Sequence, residues 1–177
     1  MKNKLSNPVF IVAIGIFVVL IIAGVILLKK PLSPPKDTQG IVYETTIAID
    51  YSSPAVRDRK IWGGLLPYNV LWRAGANQAT TFEFSKDVLI SSNVIAAGKY
   101  SFFAIPREDE WTLILNSDWD QSGTTNYDQS KDVLRWDVKP KQSQEFSERL
   151  EYNILNDSGI ELSWEELDVF IPISKPE

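Results

Sequence analysis

Neither cysteine nor histidine occurs among the 177 residues. Without a thiol or an imidazole, no Ser-His-Asp or Cys-His catalytic set can be assembled. Zinc, haem and iron–sulfur sites held by those side chains are excluded as well. Disulfides and a lipid-modified cysteine are ruled out, so the redox state of the compartment cannot be read from the chain. No glycine-rich phosphate loop precedes a helix, and no internal repeat is present. What remains for catalysis is a carboxylate pair, a lysine, a tyrosine, or a hard cation held by oxygen ligands. The carboxylates are plentiful but scattered through turns. No cofactor and no resident metal are expected.

Charge is missing from one long stretch. Val9 to Leu28 contains none, and Val, Ile, Leu and Phe fill it apart from Ala13, Gly15, Ala23 and Gly24. A helix of that length, rising about 1.5 Å per residue, crosses a hydrocarbon core of roughly 30 Å. Asn7-Pro8 suits a helix start, and Lys29-Lys30-Pro31 an end in water. A cleaved signal peptide is the competing reading, with Met1-Lys-Asn-Lys as its basic end. Such peptides have apolar regions of about 7 to 15 residues and a small-x-small cleavage site. This run is longer, and Leu27-Leu28-Lys29-Lys30-Pro31 offers no such site. The expectation is an uncleaved membrane anchor over residues 1–30, with residues 9–28 in the bilayer. Lys2 and Lys4 on one side and Lys29, Lys30 and Lys36 on the other leave the positive-inside rule nearly tied. A short tail before a first hydrophobic segment resembles a signal anchor, which places the following domain outside the cytoplasm.

Residues 31–40, Pro-Leu-Ser-Pro-Pro-Lys-Asp-Thr-Gln-Gly, read as a proline-rich spacer. The chain to residue 36 carries five lysines and no acid. Of 18 basic residues, 13 therefore remain against 23 acidic ones, a net charge of −10 for the rest. So acidic a domain repels nucleic acid and anionic headgroups. Its length is that of one domain with a core of its own.

That domain, over residues 41–174, reads as strands. Ile41, Tyr43, Thr45, Ile47 and Ile49 fall on one face by period-two alternation. Similar runs recur at 70–73, 79–85, 88–91, 99–105, 111–116, 132–138, 148–155, 160–164 and 167–173. Turn signals separate them at Ser91-Ser-Asn93, Ala97-Gly98, Pro106-Arg-Glu-Asp109 and Asn156-Asp-Ser-Gly159. No long stretch after residue 40 has a helical period. The expected fold class is all-β, an antiparallel β-sandwich domain preceded by one N-terminal transmembrane helix.

Several blocks carry a family resemblance. They are Tyr51-Ser-Ser-Pro54, Arg57-Asp-Arg-Lys-Ile-Trp-Gly-Gly-Leu-Leu-Pro-Tyr68 and Leu71-Trp-Arg-Ala-Gly-Ala-Asn-Gln-Ala-Thr-Thr81. Phe84-Ser-Lys-Asp-Val88, Ala97-Gly-Lys-Tyr-Ser101, Glu110-Trp-Thr-Leu-Ile-Leu-Asn116 and Asp132-Val-Leu-Arg135 continue them. Over about residues 41–173 the chain resembles the bacterial domain-of-unknown-function 2911 family, with Trp-Arg-x-Gly-Ala-Asn as the specific block. The resemblance implies an exported all-β domain. It brings no activity and no catalytic residues.

Three constellations bear on function. In Trp72-Arg73-Ala-Gly-Ala-Asn77, just after Tyr68, a guanidinium fork and an amide beside aromatic rings could meet an anionic or sugar ligand. Alternatively, Arg73 pairs with a carboxylate or loop carbonyls, and Asn77 satisfies its own turn. Asp118, Asp120, Ser122 and Gly123 match positions one, three, five and six of a calcium loop. The twelfth position is Gln129 rather than a bidentate glutamate, and an ordinary acidic loop is the simpler reading. Trp62, Tyr68, Trp72, Trp119 and Tyr127 lie in or near loops, where exposed rings would stack on sugars and buried ones would anchor the core.

The functional expectation is a membrane-anchored cell-envelope protein with a non-catalytic binding domain. Its ligand-binding candidates are Arg73, Asn77, Tyr68 and Trp72, and its partner an envelope glycan or protein. The alternatives are a carboxylate-based envelope hydrolase, with Glu83 the nearest acid to work beside Arg73, and a purely structural envelope component.

Overall fold

The apolar alternation after residue 40 resolves into ten strands. In the computed structural model, which describes residues 11, 12, 14–19 and 32–176, these are β1 (Pro35–Val42), β2 (Thr45–Ser52), β3 (Thr80–Phe84), β4 (Val88–Ile90), β5 (Asn93–Ile95), β6 (Gly98–Ile105), β7 (Trp111–Asn116), β8 (Asp132–Val138), β9 (Lys141–Leu155) and β10 (Gly159–Pro172). The chain divides into two units, Met1–Leu32 and Ser33–Glu177. In the first, residues 11, 12 and 14–19 are helical, with exposed side chains. Among the described residues no helix is long and apolar enough to cross a membrane. Most of the expected 9–28 span lies outside the described residues.

The second unit is all-β and antiparallel. Six strands form one sheet in the order β1-β2-β3-β6-β7-β8. The long β9–β10 hairpin lies across one face of it. Period-two alternation turns Ile47, Ile49, Phe82, Phe84, Phe102, Leu113 and Leu115 toward that hairpin. Leu150, Tyr152, Ile160, Leu162, Val169 and Ile171 complete the core between the two layers. Phe82 and Phe102 stack at 4.3 Å, and Tyr152 meets both edge-on. The layers are stitched at their margins. After β2 the chain crosses to β9, where Val56 N–H donates to Glu148 O at 2.8 Å and Leu150 N–H to Pro54 O at 3.0 Å. The small β4–β5 hairpin joins the second layer through a bridge from Leu89 to Ser174. The result is sandwich-like.

One end of the core is aromatic. Trp62, Trp72, Trp111 and Trp164 pack ring against ring, with centroids 4.6 to 6.2 Å apart. Trp72 Nε1 donates to Gly75 O at 2.9 Å, so its indole closes the loop that carries it.

Four details depart from the expectation. Ile41 to Ile49 is a hairpin rather than one strand: Tyr43 and Glu44 both take positive φ, 45° and 67°. This two-residue turn resets the alternation, so Val42 is buried while Ile41 and Tyr43 are exposed. Pro35–Gly40, read as spacer, belong to β1. Pro35 is tolerated there because it opens an edge strand. Residues 70–73 form no strand, although Trp72 and Ala104 exchange two backbone hydrogen bonds of 2.8 and 2.9 Å. The polar run 141–147, without apolar alternation, is strand because β10 pairs with it across two register shifts.

Candidate functional site

The other face of the six-stranded sheet carries a polar row. Asp37, Asp50, Thr81, Ser101, Asn116 and Asp132 are successive cross-strand partners through all six strands. The apolar phase of these strands is spent on the core, so the opposite phase is free for polar side chains.

The loop between β7 and β8 covers half of this row and is fastened to it. Ser101 Oγ donates to Asp118 O at 2.8 Å. Asn116 Nδ2 donates to Asp128 O and Asp132 Oδ1 at 2.9 and 2.8 Å, and its Oδ1 accepts from Asp118 N–H at 3.0 Å. Tyr127 donates to Asp132 Oδ2 at 2.6 Å. Burial, reinforced by that bond to a carboxylate, holds the Tyr127 hydroxyl far above the ordinary phenol range. Of the two acids matched to calcium positions, Asp118 helps to close the loop, whereas Asp120 stays exposed. Asp118 pairs with Lys131 at 2.6 Å, which raises the lysine pKa, while Ser130 donates to Asp128 at 2.7 and 2.9 Å and lowers that of the acid. Among the described residues no His, Cys, Asp or Glu cluster could hold a metal ion.

Over β1, β2 and β3 the row stays uncovered, and there the surface opens into a concavity of about 450 Å³. Its floor includes Asp37, Asp50 and Thr81; Gln78 and Ala79 form one wall, and Trp119, Asp120 and Gln121 another. Trp119 is 48 % exposed. Lys99 Nζ lies 5.4 Å from the centre of its ring, 2.8 Å from Asp50 Oδ2 and 3.9 Å from Glu83 Oε2. Lys36, the other lining cation, is paired with Glu151 at 2.9 Å. Asp37 and Asp120 have no hydrogen-bonded or ionic partner among the described residues. Gln121, only 4 % exposed, donates from Nε2 to Asp118 O, Asn116 Oδ1 and Ser101 Oγ, while its Oε1 is unpaired. The charged lining groups that remain free are thus anionic.

The sequence-derived candidates separate in space. Arg73 Nη1 donates to Asn77 O at 2.7 Å, so the guanidinium serves a loop carbonyl. It also lies against Gly123, where a β-carbon would sit 2.7 Å from Nη1. Arg73 therefore braces the two loops that wall the concavity, aided by the Ala79 N–H bond to Gln121 O at 3.1 Å. Asn77 takes a positive φ of 59° and reaches Ser33 O and Ser52 Oγ at 3.3 and 3.2 Å. Trp72 is buried in the tryptophan cluster, and half-buried Tyr68 packs on Gly63, beside a shallow groove with Arg107. Glu83 has Lys99, not Arg73, as its ionic neighbour. Asp37, Asp50 and Lys99 escaped the sequence reading because strand register brings them together, and Gln121 because the β7–β8 loop folds back over the sheet. The one sequence signal of the strand residues was polar residues on the off-core phase of successive strands.

A family model described as "Protein of unknown function (DUF2911)" matches residues 33–173. No curated protein and no solved structure matches the chain.

Proposed function

The chain belongs to the DUF2911 family of proteins of unknown function, and on that footing we propose that it is a non-catalytic binding protein of the bacterial cell envelope. Its ligand site is the concavity over β1–β3, walled by the loops that Arg73 braces. The observation that carries this reading is the exposed Trp119 ring beside carboxylates without partners, in a hollow the size of a small ligand. Catalysis has less support. Glu83 and Asp50 are both engaged by Lys99, and the Arg73 guanidinium is bonded to a loop carbonyl. A thermal-shift screen of the full chain against saccharides, peptides and small amines tests the reading. One class should raise the melting temperature, since a ligand that binds the folded state stabilises it by mass action. Gln78→Trp, which fills the concavity from an exposed wall position, should abolish that rise. Its own stability should stay within about 0.5 kcal/mol of the parent. A ligand whose effect survives Gln78→Trp would place the site elsewhere.

The envelope location is part of the same proposal. Twenty uncharged residues at 9–28 support a single-pass anchor, with the β domain outside the cytoplasm. C-terminal reporter fusions should be active only in export-dependent form, and the N-terminus of the mature protein should precede residue 9. Activity confined to a cytoplasmic reporter would reverse the orientation.

A further inference from the structure

We propose that the concavity recognises a small aliphatic ligand bearing protonated primary amines, a diamine or polyamine being the simplest; this rests on the concavity being a binding site at all. Four observations converge. Both lining lysines are engaged with carboxylates, while Asp37 and Asp120 have no partner among the described residues. Asp37 and Asp50 face each other across β1 and β2, and Lys99 is bonded to Asp50, so of this like-charged pair Asp37 is the member left to a ligand. Gln121, only 4 % exposed, lines the concavity with its Nε2 already donating to Asp118, Asn116 and Ser101, so it offers a ligand no donor. Finally, Trp119 offers a half-exposed ring, and the protein itself shows what that ring accepts. The Lys99 ammonium lies 5.4 Å from its centre while bonded to Asp50.

A primary ammonium meets all four conditions. It carries three N–H donors, enough to bridge Asp37 and a second acceptor while approaching the indole face. An anion would meet unpaired carboxylates. A neutral saccharide could stack on Trp119 and donate hydroxyls, but would leave the charge of Asp37 and Asp120 uncompensated. The volume of about 450 Å³ suits a small molecule. Arg73 then acts as a positioning residue, holding the Gln78 and Trp119 walls apart at a set distance.

Calorimetry on the full chain, in a detergent without a sugar headgroup, tests the proposal with four probes: putrescine, spermidine, tetramethylammonium and maltotriose. Spermidine and putrescine should bind, tetramethylammonium should bind more weakly because it has no N–H donor, and maltotriose should not bind. Trp119→Ala and Asp37→Asn should each weaken spermidine by about tenfold, a loss of about 1.4 kcal/mol. Glu145→Gln, in the separate acidic hollow of the β9–β10 hairpin, should leave it unchanged. Equal loss from Glu145→Gln would mean diffuse attraction to an acidic protein and would overturn the proposal. Binding of maltotriose alone, sensitive to Trp119→Ala, would overturn the amine class and leave the concavity as a site. Failure of every probe here, together with an empty thermal-shift screen, would remove both.

Discussion

Arg73 shows how a side chain can matter to a site without facing it. Its bond to the Asn77 carbonyl and its contact with Gly123 join two loops that are otherwise tied by the Ala79 N–H bond to Gln121 O. Gly123 has a φ of 68°, so alanine there meets both backbone strain and the guanidinium. Each of Gly123→Ala and Arg73→Ala should cost about 1 kcal/mol in denaturant unfolding. The double variant should cost less than the sum by about 0.5 kcal/mol or more, because the clash disappears once the guanidinium is gone. Additive losses would mean that the two loops are not braced through this contact. The sequence could place Arg73 in an ordered loop and offer it a carboxylate or loop carbonyls as partners, since such loops need internal donors. It could not supply Gly123, fifty residues away, as the surface against which the guanidinium packs. The same limit explains the tryptophans. From sequence they could be sugar-stacking rings or core anchors, and only packing distinguishes Trp72, buried among three others, from Trp119, which stays half open.

At the scale of elements, legibility followed turn chemistry. The β9–β10 turn was visible because Asn156-Asp-Ser-Gly159 names it, and Gly98 marked the start of β6. The β1–β2 turn was hidden because Tyr43-Glu44 is not a turn dipeptide, although both residues take positive φ. Replacing Tyr43-Glu44 by Asn-Gly should therefore relieve strain. We expect a gain of about 0.5 to 1 kcal/mol, read as a higher melting temperature with unchanged circular dichroism. Nothing substantial is lost in exchange. Tyr43 is exposed, and the Glu44–Lys86 pair, at 3.6 Å between two exposed side chains, is of the kind that contributes little. A lower melting temperature would show that Tyr43 makes contacts that matter more than its backbone. Lys141–Ser147 was illegible for a different reason. Its pairing comes from β10 alone, and its polar sequence carries no alternation of its own.

For the whole molecule, the all-β class followed from many short apolar runs, whereas the candidate site arose from register, which a single sequence does not encode locally. The domain boundary joins the two. Read as composition, Pro31–Gly40 is a spacer; in the fold its second half is β1, which supplies Asp37 to the concavity and Lys36 to an ion pair with Glu151. The unit boundary at Ser33 retains two further ties, Pro34 O accepting from Ser53 N–H at 2.9 Å and Ser33 O accepting from Asn77. Two truncations should accordingly behave differently. A chain starting at Ser33 should unfold in one cooperative transition, because every strand and every tie of the β unit is kept. A chain starting at Ile41 loses most of β1, opens the β2 edge, takes away one of the two acceptors of the Asn77 side chain, and uncovers Gly40's neighbour Ile154 on β9. It should unfold at markedly lower denaturant or fail to fold, since unpaired edges and stranded polar groups are both costly. Equal midpoints for the two would show β1 to be an appendage, and the concavity, which needs Asp37, would lose its floor without any cost to the fold.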